Sequence, residues 1–133
     1  MANAPAFAAT PHTGAIIVPA TLDTSTTAPT NVATVYTAGG SGSRIDVVRI
    51  TQVAATTAAG VLNLFLFDGT TYHLLDTYTY GSSSGAPSTT AGVQPIDIYY
   101  QNLILQSGWS LRCTVTTATG QSAFKVIGFG GDF

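Results

Sequence analysis

The chain has 133 residues, of which 45% are apolar and only 8% charged, with a formal net charge of −2; ordinary soluble domains carry roughly 25% charged residues. That length fits one domain and is enough to bury a core without metal or disulfide staples. Arg44, Arg49, Arg112 and Lys125 are scattered and make no basic patch for a phosphate backbone, and no run approaches the ~18 consecutive apolar residues of a membrane-spanning helix, so neither nucleic acid nor membrane is an expected partner.

The polar surface is made of hydroxyls: 22 Thr and 10 Ser stand beside six Asp and no Glu. β-Branched Thr suits pleated strands, and the helix formers Glu, Lys and Arg are nearly absent, so the chain reads as all-β. A surface this poor in charge costs little desolvation when it packs against another protein. The single Cys113 excludes an intrachain disulfide and is expected as a buried thiol. Pro5, Pro11 and Pro19 interrupt the first twenty residues, which also lack a basic leader, so a protein retained in the cytoplasm where it is made is expected.

Residues 1–13, Ala-rich with Phe7 and two prolines, predict an extended N-terminal arm; a single domain over 14–133 follows. Gly14 to Val18 reads as a short first strand, Pro19 to Thr30 as a loop, and Val32 to Ala38 as the next strand, turned by Gly39-Gly40-Ser41-Gly42-Ser43. In Arg44 to Val53, Ile45 and Val47 share one face while Val48 and Ile50 take the other, so either both faces are covered or a bulge falls between Val47 and Val48.

Val61 to Phe67 is apolar on both sides, with Leu62, Leu64 and Leu66 opposed by Val61, Phe65 and Phe67, and one of those faces needs a cover of its own. Asp68-Gly69 predicts a hairpin turn into Tyr72 to Tyr80. Gly81 to Gly92 reads as an exposed loop. Ile96, Ile98 and Tyr100 mark a strand, Leu103 and Leu105 a short one, and Trp109, Leu111, Cys113 and Val115 one apolar face. Phe124 to Phe129 closes the sheet, tying the last residues into it. About eight short strands predict an antiparallel β-sandwich of jelly-roll type, with a small barrel as the alternative.

Catalytic signals are weak. Gly81-Ser82-Ser83-Ser84-Gly85 matches the spacing of a hydrolase nucleophile, but that motif needs a strand before the Ser and a helix after it. His73 and Asp76 fall three apart on a strand and so point to opposite faces. His12 has no ligand partner near it in sequence, and the six Asp form no calcium loop; Asp132 reads as a terminal turn residue. No cofactor, metal or catalytic set is expected. Tyr99 and Tyr100 are adjacent, so only one can enter the core and the other is free for contacts.

Five segments carry a resemblance: Val35-Tyr36-Thr37-Ala38-Gly39 with Ser43-Arg44-Ile45-Asp46, then Leu64-Phe65-Leu66-Phe67-Asp68-Gly69-Thr70, Ser107-Gly108-Trp109-Ser110-Leu111-Arg112, and Phe129-Gly130-Gly131-Asp132-Phe133. In this order the chain resembles small structural proteins of tailed-bacteriophage virions, from about Val32 to Phe133; Gln106-Ser107 departs from the Pro commonly found there. The resemblance implies a β-sandwich component that decorates or cements a head, or forms a fibre base, and brings no catalytic residue.

The expected function is that of a non-enzymatic capsid decoration protein on the virion surface. It would bind the major capsid protein and associate with itself, as a homotrimer. Phe7, His12, Val61, Phe65, Phe67 and Tyr99 are the candidate interface residues. The alternative is a receptor- or glycan-binding module of a fibre, spike or tail, working through Tyr and loop hydroxyls.

Overall fold

A computed structural model describes residues 10–56, 58–83, 95–117 and 122–133. It is all-β, with eight strands: β1 (Thr10–Ile17), β2 (Ala33–Thr37), β3 (Ser43–Gln52), β4 (Gly60–Phe67), β5 (Tyr72–Tyr80), β6 (Ile96–Leu105), β7 (Ser110–Val115) and β8 (Phe124–Asp132). They form two four-stranded antiparallel sheets, β1-β8-β3-β6 and β2-β7-β4-β5, stacked as a sandwich. Among the described residues no helix is long and apolar enough to cross a membrane.

The pairing follows one rule. β1 pairs with β8, β2 with β7, β3 with β6 and β4 with β5, as if a single long hairpin had been rolled up. Contacts of β3 with β8 and of β4 with β7 seal the roll. The tip of that hairpin is the Asp68-Gly69 turn, where the Asp68 carboxylate accepts the N–H groups of Thr70 at 2.9 Å and Thr71 at 2.8 Å. Gly69 follows at φ +99°, a conformation that an L side chain resists.

Between the sheets lie Ile45, Val48 and Ile50 of β3 and Phe124 and Val126 of β8, facing Leu62 and Leu64 of β4 and Leu111, Cys113 and Val115 of β7. The alternation read from the sequence for β7 is therefore the inner face. Bulges adjust the pattern elsewhere. In β2 the register shifts between Thr34 and Tyr36, which lets the neighbours Val35 and Tyr36 both reach the core. In β3 the shift falls between Ile45 and Val47, one position earlier than the expected site after Val47. Asp46 is thus the extra residue, and Val47 turns outward while Val48 and Ile50 turn in.

Other boundaries differ from expectation for stated reasons. β1 begins at Thr10, pairing Thr10 to Thr13 with Asp132 to Phe129, so the last four residues of the expected arm belong to the sheet. The Ile96–Tyr100 and Leu103–Leu105 segments are one strand, β6, whose residues 100 to 102 bulge out around Asn102 at φ 64°. Trp109, expected as core, is half-buried just before β7 and stacks on His73, ring centroids 6.3 Å apart. Most of the Gly81–Gly92 loop, and Phe7 in the arm, lie outside the described residues.

The open edges are managed. β1 crosses β2 at Gly14, where a Cβ would sit 2.1 Å from the Val35 carbonyl oxygen, so only glycine permits that approach. On the opposite side Tyr100 of β6 reaches Asp76 of β5 at 3.4 Å, bridging the two sheets, and burial pushes the Tyr100 hydroxyl pKa upward. Bulges in β2, β5 and β6 further spoil these edges as templates for an added strand.

Candidate interaction surface

The outer face of the β2-β7-β4-β5 sheet explains the doubly apolar strand. Phe65 faces outward from β4 yet is 0% exposed. Arg112 of β7 and Leu74 of β5 stand opposite it, and the Tyr72 ring meets it edge-on at 5.9 Å. The Arg112 guanidinium lies 3.9 Å from the centre of the Phe67 ring, donates from Nη1 to the Tyr72 hydroxyl at 2.9 Å and from Nε to Ser110 Oγ at 3.0 Å. A planar cation suits this role, because it stacks on a ring while its edge makes hydrogen bonds.

One expected interface residue, Phe65, is corrected by this, while Phe67 and Val61 stay partly exposed. Phe65 is covered within the chain and offers no surface. Phe67 lies under the Arg112 guanidinium, and Val61 is half-buried with its backbone bonded to Thr116. The missing cover for the Val61 to Phe67 strand is supplied by the fold itself.

The outer face of β1-β8-β3-β6 has no such roof. Cross-strand register sets Thr13, Phe129, Val47 and Tyr99 in one row and Ala15, Ile127, Arg49 and Asp97 in the next. Tyr99 is 74% exposed and Phe129 38%. Ile17 and Ile104, both more than half exposed, flank these rows. Arg49 grips Asp97 with two bonds of 2.7 Å, which hold the Asp97 carboxyl below its usual range, and Arg44 pairs with Asp46 at 2.8 Å. The face is therefore largely apolar, with two internal Arg–Asp pairs and Lys125 at one end. Tyr99, expected to be free for contacts, is exposed on this face.

Where β1 meets β8, three of the resembling segments close a clasp. His12 Nδ1 and the Ser43 hydroxyl both bond the same oxygen of Asp132, the former at 2.9 Å. Gly39 N–H donates to Ser43 Oγ at 2.9 Å, and the His12 ring lies 4.2 Å from that of Tyr36. Hydrogen bonds from Ser43 and His12 hold the Asp132 carboxyl below its ordinary pKa, and burial raises that of Tyr36. His12, expected as an interface residue in a free arm, is instead a half-buried strand residue with a carboxylate partner. Asp132, expected as a turn residue, is the centre of the clasp. Because the carboxylate stands between Ser43 and His12, no imidazole rests on the Ser43 hydroxyl to activate it.

The other chemical candidates are placed apart. Ser83 is tied to Thr56 through paired backbone bonds of 3.0 and 3.2 Å, and its hydroxyl accepts from the Gln52 amide. His73 bonds Asp68 at 2.8 Å at the far tip of the hairpin, which with the turn N–H groups brings the Asp68 pKa down to about 2. Among the described residues no group of three or more His, Cys, Asp or Glu is placed to hold a metal ion. Burial pushes the Cys113 thiol up to about 12.

Sequence reading missed Val47, Ile104, Ile127 and Phe129 as surface. The signal was present in β8, where Ile127 and Phe129 oppose Phe124 and Val126, the same two-sided pattern that drew attention to β4. Set beside family models, curated proteins and solved structures, the chain matches none of them.

Proposed function

We propose that this chain is a non-enzymatic structural protein of a bacteriophage virion, a decoration or cement protein that binds the major capsid protein from outside and stabilises the head. The observation that carries this reading is the open face of β1-β8-β3-β6, largely apolar with two of its arginines already paired to aspartates, on a small sandwich whose other outer face covers its own aromatics. Adhesion to neighbours needs such a surface and needs no reacting group. The N-terminal segment supports the same reading: residues 1–9 precede β1, which the clasp fixes to β8, so a contact made by them would be transmitted to the body of the fold.

The strand order supports the finer jelly-roll reading, since partners whose ordinals sum to nine are what two interleaved Greek keys produce. Self-association, for which the sequence suggested a trimer, belongs to the same proposal.

The test is reconstitution. Heads purified without the chain should take it up at saturable, regularly spaced sites and should then withstand a higher temperature before rupture. A version lacking residues 1–9 should bind more weakly with its own melting unchanged. Failure to bind heads, or recovery of the chain only at a tail tip, would overturn the proposal.

A further inference from the structure

β1 is held differently from the other seven strands. Its inward positions are His12, Gly14 and Ile16, and among the described residues it is the only strand with none buried; β5 and β6 each keep one and the rest keep several. At its middle Gly14 lies against the Val35 carbonyl, and Ile16 is the one β1 side chain packed on the core. With β8 as its single neighbour in the sheet, β1 has few of the apolar contacts that keep a strand closed. What replaces them is polar and sits at the free end. The Asp132 carboxylate faces His12 Nδ1 at 2.9 Å and accepts the Ser43 hydroxyl, while Ser43 Oγ accepts the Gly39 N–H, so one carboxylate ties β1 to β3 and to the turn before it. At the other end the chain is fixed. Val18 is 1% exposed and its N–H bonds the Phe124 carbonyl at 2.8 Å, and the Asp23 N–H bonds that of Val115 at 2.7 Å.

We infer that β1 is a strap that opens separately from the other seven strands, with Asp132 as its latch and Val18 as its hinge. Such an opening breaks one edge ladder and the polar cluster and uncovers the Tyr36 ring, on which His12 lies at 4.2 Å; the side chains packed between the two sheets stay in place. Elements of this kind, with few buried apolar contacts, come from the low-stability end of a fold. The chain ahead of the fixed body grows from residues 1–9 to residues 1–17, so its fully extended span grows from about 30 Å to about 55 Å. That gain in reach towards a neighbouring subunit rests on the head-binding reading above, whereas the opening itself does not.

Native-state hydrogen exchange of the full chain at neutral pH, read strand by strand, tests this. In the wild type the β1 amides bonded to β8 should exchange at least about tenfold faster than those of β3, and Asp132→Ala should speed them about a further tenfold while β2 to β8 keep their order. Asp68→Ala, which removes a carboxylate at the hairpin tip, should leave the ratio of β1 to β3 rates unchanged. Gly14→Ala wedges the strap off β2 without touching the latch, and should open residues 10–17 to protease while the remaining strands stay protected. A single rate for β1 and β3 in the wild type, an Asp132→Ala chain in which all strands speed up alike, or a Gly14→Ala chain that unfolds entirely would overturn the inference. Binding to heads is read separately: a chain whose β1 opens but which ignores heads sinks the proposed function alone, and one that decorates heads while β1 opens only with global unfolding sinks this inference alone.

Discussion

The two outer faces of the sandwich solve the same problem in different ways. Both sheets contain a strand that is apolar on its outward side: β4 with Phe65 and Phe67, and β8 with Ile127 and Phe129. On the β4 side a neighbouring strand supplies Arg112, whose guanidinium covers one ring and ties Tyr72 over the other. On the β8 side the neighbouring cation, Arg49, is bound by Asp97, and Phe129 and Tyr99 remain exposed. Outward apolar residues alone do not mark an interface. What marks it is the failure of the chain's own cations to cover them.

The comparison is tested first by truncation. Phe65→Ala should cost about 3–5 kcal/mol, as for a large side chain removed from a packed site, whereas Tyr99→Ala should change stability by no more than about 0.5 kcal/mol; the midpoints of urea unfolding report both. Equal effects would mean that the two faces are not different in kind.

A smaller effect is expected from the cover itself. Arg112→Ala should cost about 1–2 kcal/mol through lost stacking and stem packing and should raise binding of a hydrophobic dye by uncovering Phe67. Arg112→Lys should recover only part of this, since an ammonium cannot stack and bond Tyr72 in one plane.

Acid should act away from both faces, at the clasp and the hairpin tip. Asp132 and Asp68 have folded pKa values lowered below the ordinary 3.8, Asp68 to about 2. Groups of this kind stabilise the fold above about pH 4 and lose that contribution as the pH falls through the folded value. The melting temperature should therefore drop between pH 4 and 2, and less steeply in a variant combining Asp68→Asn with Asp132→Asn. The smallest effect is on reactivity: Cys113, buried at 0% exposure with its thiol pushed up to about 12, should resist alkylation at pH 8 in the folded protein and react at the ordinary rate in denaturant.

Much of this architecture could be read from residues. The Thr-rich, Glu-free composition gave the all-β class, and the Asp68-Gly69 turn with Tyr72 to Tyr80 matches the observed hairpin and the bounds of β5. The Leu111, Cys113 and Val115 alternation matches the inner face of β7. What escaped depended on contacts distant in sequence. Asp46 as the bulged residue is set by pairing with β6 and β8, and the His12–Asp132 contact spans 120 positions. The resembling segments turn out to be packing motifs. Val35–Gly39, Ser43–Asp46 and the Phe129–Phe133 ending meet at the clasp, and Leu64–Thr70 meets Ser107–Arg112 beneath the guanidinium. The open face could not be recognised in advance, because whether Arg112 or Arg49 covers a ring is settled by register and by the position of Asp97.

The most direct test of the proposal is a density map of phage heads to which this chain has been added. The sandwich should stand on the outer surface of the head, with the rows through Phe129 and Tyr99 buried against the major capsid protein and the Arg112 face turned to solvent. A map that leaves Tyr99 and Phe129 facing water, or that finds the chain away from the head, would contradict the account.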